Sequence, residues 1–334
     1  MTDLGYEDKT SAELERRLAA LLHGTKDVIV GPWMGEIGPE LLYWIPFLRW
    51  VVERFEVDPA RLTAISRGGV RSWYAGVAAS YADIFDAVSV EDFRRMNEAR
   101  WAALGGMKQS RVTYWDRVLL EKTVGWNGHD AVLHPTFMIR FLRRWWKGGL
   151  SLSHVLAHLR LRRLEPPALN PRLRTLLPDD YVVAAFYFRP SFEATPENQG
   201  LVRNIVTALA EETTVVLLDT EIQADEHLEA KVDLSDRVLM PLAGAAPAEN
   251  LELQTAVAAR ARSWIGTYGG RTHIAPTFGV PCLSFASDRG EFLPSYLDVL
   301  SRLTAVTGAP YTVLETSDLA RLAYLAPTAG VAAA

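Results

Sequence analysis

The sequence predicts an α/β protein made of two Rossmann-like, doubly wound domains that face each other across a cleft. Three observations predict it. Short apolar runs alternate with helical stretches, which is the rhythm of a parallel sheet covered on both faces. The rhythm breaks and restarts at Leu164-Glu165-Pro166-Pro167-Ala168-Leu169-Asn170-Pro171, where the prolines can continue neither a helix nor a sheet interior. The length, 334 residues, exceeds one ordinary core and suits two domains. The N-terminal domain is therefore placed at residues 1–165 and the C-terminal domain at 166–334.

In the first half, Leu14, Leu18, Leu21 and Leu22 fall at helical spacing and predict a helix over 11–23, with Ser11 as cap and Gly24 as stop. Val28-Ile29-Val30 reads as a buried strand. A loop with Gly35 and Gly38 follows, then a helix over 39–55. Residues 62–65 form a second strand, closed by Ser66-Arg67-Gly68-Gly69, and 73–84 read as a helix. From 91 to 164 the pattern is mostly helical, with weak strand signals. The second half predicts strands over 181–188, 213–218, 237–241, 263–266, 281–286 and 311–314. Helices are predicted over 196–211, 249–261, 272–278 and 317–325, and the tail 330–334 is expected to be disordered. Ligands of such sheets bind beyond the carboxyl ends of the strands.

Composition excludes several classes. Apolar residues make up 49% of the chain, enough for a core in each half. A net charge of −5 argues against a nucleic-acid partner. The one cysteine, Cys282, sits in an apolar run and reads as a small buried hydrophobe, so neither a disulfide framework nor a cysteine metal site is expected. The polar, acidic start (Met1-Thr2-Asp3-Leu4) lacks a secretory signal, and no window approaches the ~20 apolar residues of a membrane helix. The expected location is the cytoplasm. His129 and His134 lie in a loop, and His154 and His158 share a helix face without the glutamate of an HExxH site. No metal and no cofactor is expected.

The segment Trp264 to Pro276 holds the richest chemistry. A strand runs into Gly269-Gly270 and then into a helix start carrying Arg271, Thr272 and His273. Glycines let the backbone approach a ligand, and a helix N-terminus favours an anion. The segment reads either as a diphosphate cradle or as a tight strand-to-helix turn in which His273 packs. Between Asp130 and Glu165 there is no acid, while Arg140, Arg143, Arg144, Lys147, Arg160, Arg162 and Arg163 interleave with Trp145 and Trp146. Residues 138–164 thus suit an anionic membrane surface, at the inner membrane face, or a phosphorylated lipid acceptor. A solvated basic face is the other reading.

The C-terminal segment resembles the signature of the lipopolysaccharide heptosyltransferases, which have the GT-B fold. That signature is a strand, Asp-Thr-Gly-x-x-His, a helix, and Gly-x-Pro before the next strand. Here Gly270-x-x-His273 precedes Gly279-Val280-Pro281. Tyr268 stands in the place of the family's Asp and Gly269 in the place of its Thr. The helix carrying Asn250-Leu251-Glu252-Leu253 is similar to the one before that strand. At the N-terminus the family has a strand, a Gly-Asp and a helix carrying a proline, the Asp being read as catalytic base. The strand Val28-Ile29-Val30, then Gly35-Glu36-Ile37-Gly38 and the helix with Pro46 resemble it, with Glu36 at the Asp position. The resemblance does not extend to residues 91–164.

The resemblance implies an inverting glycosyltransferase that binds a nucleotide-sugar donor in the C-terminal domain and an acceptor in the N-terminal one. The acceptor is a glycan, a lipid-linked sugar or a small molecule. Arg189, Thr267, Gly269, Gly270, Thr272 and His273 are the expected donor-binding residues. Glu36 is the expected base, because sugar transfer needs a carboxylate in reach of the acceptor hydroxyl. The competing reading of Glu36 is a first-turn helix acid. Glu40, one turn on, is the rival carboxylate and reads rather as first-turn charge. Arg189 ends the first strand of the second domain, where it neutralises a leaving diphosphate or stays a surface cation. Arg67, Gly68 and Gly69, at the end of the second strand, are candidates for acceptor or phosphate binding. Other classes on a similar fold are a nucleotide-sugar epimerase, a pyruvyl transferase, or a non-catalytic nucleotide-sugar or glycan-binding protein.

Overall fold

The computed structural model describes residues 4–105, 109–222, 228–287 and 294–316. The expected helix over 317–325 and the tail 330–334 lie outside the described residues.

The N-terminal sheet is parallel, with strands β1 (Val28–Val30), β2 (Leu62–Ser66), β3 (Ser80–Asp83) and β4 (Ala131–Leu133) in the order β3-β2-β1-β4. The C-terminal half carries β5 (Val182–Ala185), β6 (Tyr187–Phe188), β7 (Val215–Leu217), β8 (Leu228–Glu229), β9 (Val238–Leu239), β10 (Ser263–Thr267), β11 (Cys282–Ala286) and β12 (Tyr311–Glu315). Six of them form a parallel sheet in the order β12-β11-β10-β5-β7-β9, and β6 pairs antiparallel with β8. Helices lie between β1 and β2, β3 and β4, β5 and β7, β9 and β10, β10 and β11, and β11 and β12, whereas β2 reaches β3 through a 3-10 turn. The fold is thus the expected pair of Rossmann-like domains.

Each sheet has one place where the strand order reverses. In the N-terminal sheet β2 and β3 lie to one side of β1 and β4 to the other. In the C-terminal sheet β7 and β9 lie to one side of β5, and β10 to β12 to the other. The loops leaving neighbouring strands diverge there and open a crevice at the carboxyl ends.

Several elements differ from expectation. Residues 73–84 are not a helix: a 3-10 turn over Val70–Tyr74 stops short of Gly76 at φ 74°, and the chain runs on as β3. The left-handed glycine ends the turn, and the Ala79 amide donates to the Pro59 carbonyl (2.9 Å), which feeds the next residues into the sheet. β4 emerges from the stretch read as helical, and its three residues are too few to leave a periodic signal. The strand expected over 181–188 splits because Tyr187–Phe188 turns away to pair with Leu228–Glu229.

The two domains share one continuous apolar core, from Leu14 and Leu18 of the first helix to Leu300 and Leu303 of the last described one. Polar contacts pin the seam. The Tyr43 hydroxyl donates to the Ser295 carbonyl (2.9 Å), and Leu164 N–H to the Thr277 carbonyl (3.0 Å). Cys282 is buried, as expected. Among the described residues no helix is long and apolar enough to cross a membrane.

Candidate active site

The loop after β1, Gly31 to Glu36, leaves the N-terminal sheet at its reversal point. Gly31 N–H donates to the Leu133 carbonyl of β4 (3.0 Å), and Trp33 N–H to the Ile65 carbonyl of β2 (2.9 Å). The loop is clamped from below by the buried Gln109. Its oxygen accepts from Met34 N–H (2.9 Å), and its amide donates to the Pro32 carbonyl (2.8 Å) and to Asp116 Oδ1 (2.9 Å). Asp116 is fixed in turn by His134 Nε2 (3.0 Å) and by Thr113. Burial opposes its charge, yet these partners hold its carboxyl below the usual range.

At the tip of this clamped loop is Glu36. It starts the short helical turn Ile37–Pro39, but its side chain makes no capping hydrogen bond. It lines the cleft between the domains and is partly exposed. Its side chain has no hydrogen bond or ion pair among the described residues. The geometry therefore presents a tethered backbone and an uncommitted carboxylate. Glu40, four residues on, is the opposite: it has no exposure, and accepts hydrogen bonds from Ser66 Oγ (2.6 Å) and the Tyr74 hydroxyl (2.7 Å). Burial lifts its carboxyl to about 7, against the pull of Arg67. Glu40 thus stands in a first turn, as expected, but inside the protein. It is an interior carboxyl group in the π-helical turn Glu40–Trp44, out of reach of the cleft.

On the C-terminal side, Arg189 follows β6, and β10 runs into Tyr268-Gly269-Gly270 at the reversal point beside β5. Gly269 and Gly270 are required by close approach. A Cβ on Gly269 would lie 2.2 Å from the Tyr187 hydroxyl oxygen and 2.9 Å from Arg189 Nη1. A Cβ on Gly270 would lie 2.9 Å from Gly38 N, so this glycine lets the two loops meet. His273 packs against Gly38 from the other side and stacks near Tyr296, with ring centroids 6.2 Å apart. Both its ring nitrogens are buried without a hydrogen-bond partner. Burial, then the nearby Arg189, pushes its pKa down to about 3. His273 is therefore a neutral imidazole at working pH and brings no positive charge to the cleft. Arg271 is turned to Glu229 (2.6 Å) and lies over the Tyr187 ring.

Both loops open into one cleft of about 830 Å³. Glu36, Arg189, Gly269, Gly270 and His273 all line it. Its other wall comes from the 91–164 region, where Trp101, Gln109, Arg111, Arg143, Trp146 and Lys147 contribute. Sequence reasoning missed Trp33, Trp101, Gln109, Arg111 and Tyr296. Arg143 and Lys147 were noticed only as part of a basic stretch.

The remaining expected residues lie elsewhere. Thr267 is fully buried, donating to the Tyr187 carbonyl (2.7 Å) and accepting from Tyr187 N–H (3.1 Å), so it pins β10 to β6. Thr272 donates to the Gly269 carbonyl (2.7 Å) and meets the Tyr311 hydroxyl (2.9 Å). Both hydroxyls are engaged by protein, and neither residue lines the cleft. Arg67 is buried beside Glu40 (3.6 Å) and over the Phe93 ring. Gly68 and Gly69 abut the C-terminal domain: a Cβ on Gly68 would meet Leu251 at 2.8 Å, and one on Gly69 the Ala248 carbonyl at 2.5 Å. The place expected for a ligand at Arg67-Gly68-Gly69 is filled by the other domain.

The basic stretch is likewise no continuous face. Arg144 binds Glu13 (3.0 Å), Arg160 binds Glu53 (2.8 Å), and Arg162 donates to the Ala75 carbonyl (2.7 Å). Among the described residues no three His, Cys, Asp or Glu side chains gather as metal ligands.

No protein-family model matches the chain, and no curated protein matches its sequence. Solved structures do match. A glycosyl transferase family 9 protein from Veillonella parvula is similar at 14% identity and TM-score 0.47, over 92% of this chain and 90% of that one. The E. coli ADP-heptose lps heptosyltransferase II is similar at 11% identity and TM-score 0.39, over 85% of this chain and 98% of that one. A putative UDP-N-acetylglucosamine 2-epimerase from Listeria monocytogenes matches at 12% identity and TM-score 0.37, over 85% and 88%.

Proposed function

We propose that the protein is a glycosyltransferase that moves a sugar from a nucleotide-sugar to an acceptor hydroxyl with inversion, Glu36 serving as general base. One observation carries the reading. The two loops at the reversal points of the two sheets, one ending in Glu36 and the other framed by Arg189 and Gly269-Gly270, share a single cleft.

In this reading the diphosphate of the donor lies along the cleft face of the Gly269-Gly270 turn, with Arg189 alongside. Glu36 removes the proton of the acceptor hydroxyl. The hydroxyl oxygen bonds the anomeric carbon, the carbon–oxygen bond to the diphosphate breaks, and the nucleoside diphosphate leaves with the electron pair. Arg189 meets the negative charge that grows on the leaving group, where a fixed cation is most effective. His273, neutral and unbonded, has a hydrogen bond to offer without adding charge. We read the transfer as metal-independent, so excess EDTA should leave the rate unchanged. A rate restored only by a divalent cation would replace Arg189 as the main counter-charge.

The reaction is placed in the cytoplasm. Any contact with anionic lipid at the inner membrane face would use the exposed Arg143 and Lys147 at the cleft, because Arg144 and Arg160 are tied to acids. The test is a panel of nucleotide-sugars with and without mixed acceptors. Acceptor-dependent release of nucleoside diphosphate supports transfer. Conversion of the donor sugar with no acceptor present would make the protein an epimerase, and binding without turnover a sugar-nucleotide receptor.

A further inference from the structure

We infer that the cleft wall formed by Arg111, Arg143 and Lys147 is a second anion subsite, which holds a phosphate group carried by the acceptor. The inference rests on the transferase reading for the word acceptor, but its geometry is independent of it. All three side chains line the cleft and are exposed. None has an ion-pair partner among the described residues, whereas Arg144 and Arg160 on the same stretch are paired with Glu13 and Glu53. Of the cations on that stretch without an ion pair among the described residues, Arg143 and Lys147 are the ones that line the cleft, while Arg140, Arg162 and Arg163 lie outside it.

Charge makes this wall unlike the donor side. The described lining carries four permanent cations, Arg111, Arg143, Lys147 and Arg189, against one carboxylate, Glu36. In a protein of net charge −5 that is a strong local excess. Like charges in one concavity repel, and a bound anion relieves the repulsion. Arg189 sits with the glycine loop of the C-terminal domain, where the leaving diphosphate is placed. Arg111, Arg143 and Lys147 come from the N-terminal domain, around the helix Thr136–Trp146 and the loop that follows Gln109. A second phosphate, distinct from the donor's, satisfies them.

The tryptophans give the rest of the ligand a character. Trp101 is 51% exposed, and Trp146 is half-buried on the same wall. Indole faces beside guanidinium groups suit a ring or an apolar chain with a phosphate attached. A soluble sugar phosphate and a lipid-linked phosphate share this chemistry.

The experiment is titration calorimetry on the full chain held at saturating nucleoside diphosphate, so that the donor side is filled. The probes are a soluble hexose phosphate and, separately, phosphatidylcholine vesicles with and without phosphatidic acid. Wild type should bind the hexose phosphate, the phosphatidic acid vesicles, or both, with affinity falling steeply as salt is added. The Arg143→Gln/Lys147→Gln pair should lose at least about tenfold of that affinity, since each charge-assisted contact is worth that much. Arg143→Lys, which keeps the charge, should retain most of it. Affinity for nucleoside diphosphate and the melting temperature should not change in these exposed variants. Binding of the hexose phosphate alone assigns a soluble acceptor, and binding of the acidic vesicles alone a lipid-linked one. Wild type binding neither probe, or plain phosphatidylcholine as tightly as acidic vesicles, overturns the subsite. An equal loss of nucleoside diphosphate affinity in the double variant also overturns it, giving these cations to the donor while the transferase reading stands. Failure of wild type to bind any nucleoside diphosphate removes the transferase reading. Phosphate binding that the variants weaken would then leave an anion site without it.

Discussion

Two glycine-bearing loops leave neighbouring strands of the same sheet, and they meet opposite fates. The loop after β1 lies where the strand order reverses, so its neighbours diverge and its tip, with Glu36, looks into the cleft. The loop after β2 has strands running on in one direction beside it. Its Ser66-Arg67-Gly68-Gly69 is covered by the Asn250–Ala258 helix of the other domain, with Glu252 N–H donating to the Gly68 carbonyl (2.9 Å). Glycines at a strand end allow close approach in both cases. What approaches is a ligand only where the topology leaves a crevice. The same contrast separates two carboxylates four residues apart. Glu36 is partly exposed and uncommitted, while Glu40 has no exposure and two hydrogen-bond donors.

The comparison predicts effects of different size and kind. The largest belongs to the open loop. Glu36→Gln keeps size and hydrogen bonding but cannot accept a proton, so the transfer rate should fall by about 10²–10⁴-fold, as for a general base. Melting temperature should hold, because the side chain supports no other residue. Retention of more than about a tenth of the wild-type rate would end the assignment.

In the covered loop the effect should be on folding. Gly69 sits at φ 79° with the Ala248 carbonyl 2.5 Å from any Cβ. Gly69→Ala should therefore cost about 2–4 kcal/mol of stability, combining left-handed strain with a backbone clash. Nucleotide affinity of the folded fraction should not change. A folded Gly69→Ala protein that has lost ligand binding would return this loop to the active site.

A pH effect follows from Glu40. Burial raises its carboxyl from an ordinary 4.5 to about 7, so the folded state holds the proton more tightly than the unfolded chain. Its contribution to stability is fully present below about pH 4.5 and is lost as the pH rises through about 7. Glu40→Gln mimics the protonated form and should flatten the stability profile across that window. The gain above it is on the order of 3 kcal/mol at most. An unaltered slope in urea titrations at stepped pH would mean that Arg67, Ser66 and Tyr74 compensate for the charge.

The sequence carried the paired α/β rhythm because alternating runs of that length have few other solutions. It also carried Glu36, Arg189, Gly269, Gly270 and His273 to the cleft, since each lies within a strand-to-loop step at the carboxyl ends of the strands. It did not reveal how a hydroxyl is spent. Thr267 and Thr272 stand in the same step, but their partners, Tyr187 and Tyr311, are remote in sequence. Nor did it reveal the rest of the lining, where Trp101, the Gln109–Arg111 loop and Tyr296 come from separate segments with no local pattern to join them. The misread residues 73–84 carry small apolar residues at helical spacing, and only Gly76 at φ 74° hints that the turn stops.

The proposed transfer divides labour across one cleft, with the base on the N-terminal loop and the counter-charge on the C-terminal one. It is tested most directly by calorimetric titration of nucleoside diphosphate into wild type, Glu36→Gln and Arg189→Ala. Glu36→Gln should keep the wild-type affinity. Arg189→Ala should lose roughly 1.5–3 kcal/mol, the worth of a charge-assisted contact. Wild-type affinity in Arg189→Ala, or a comparable loss in Glu36→Gln, would contradict it.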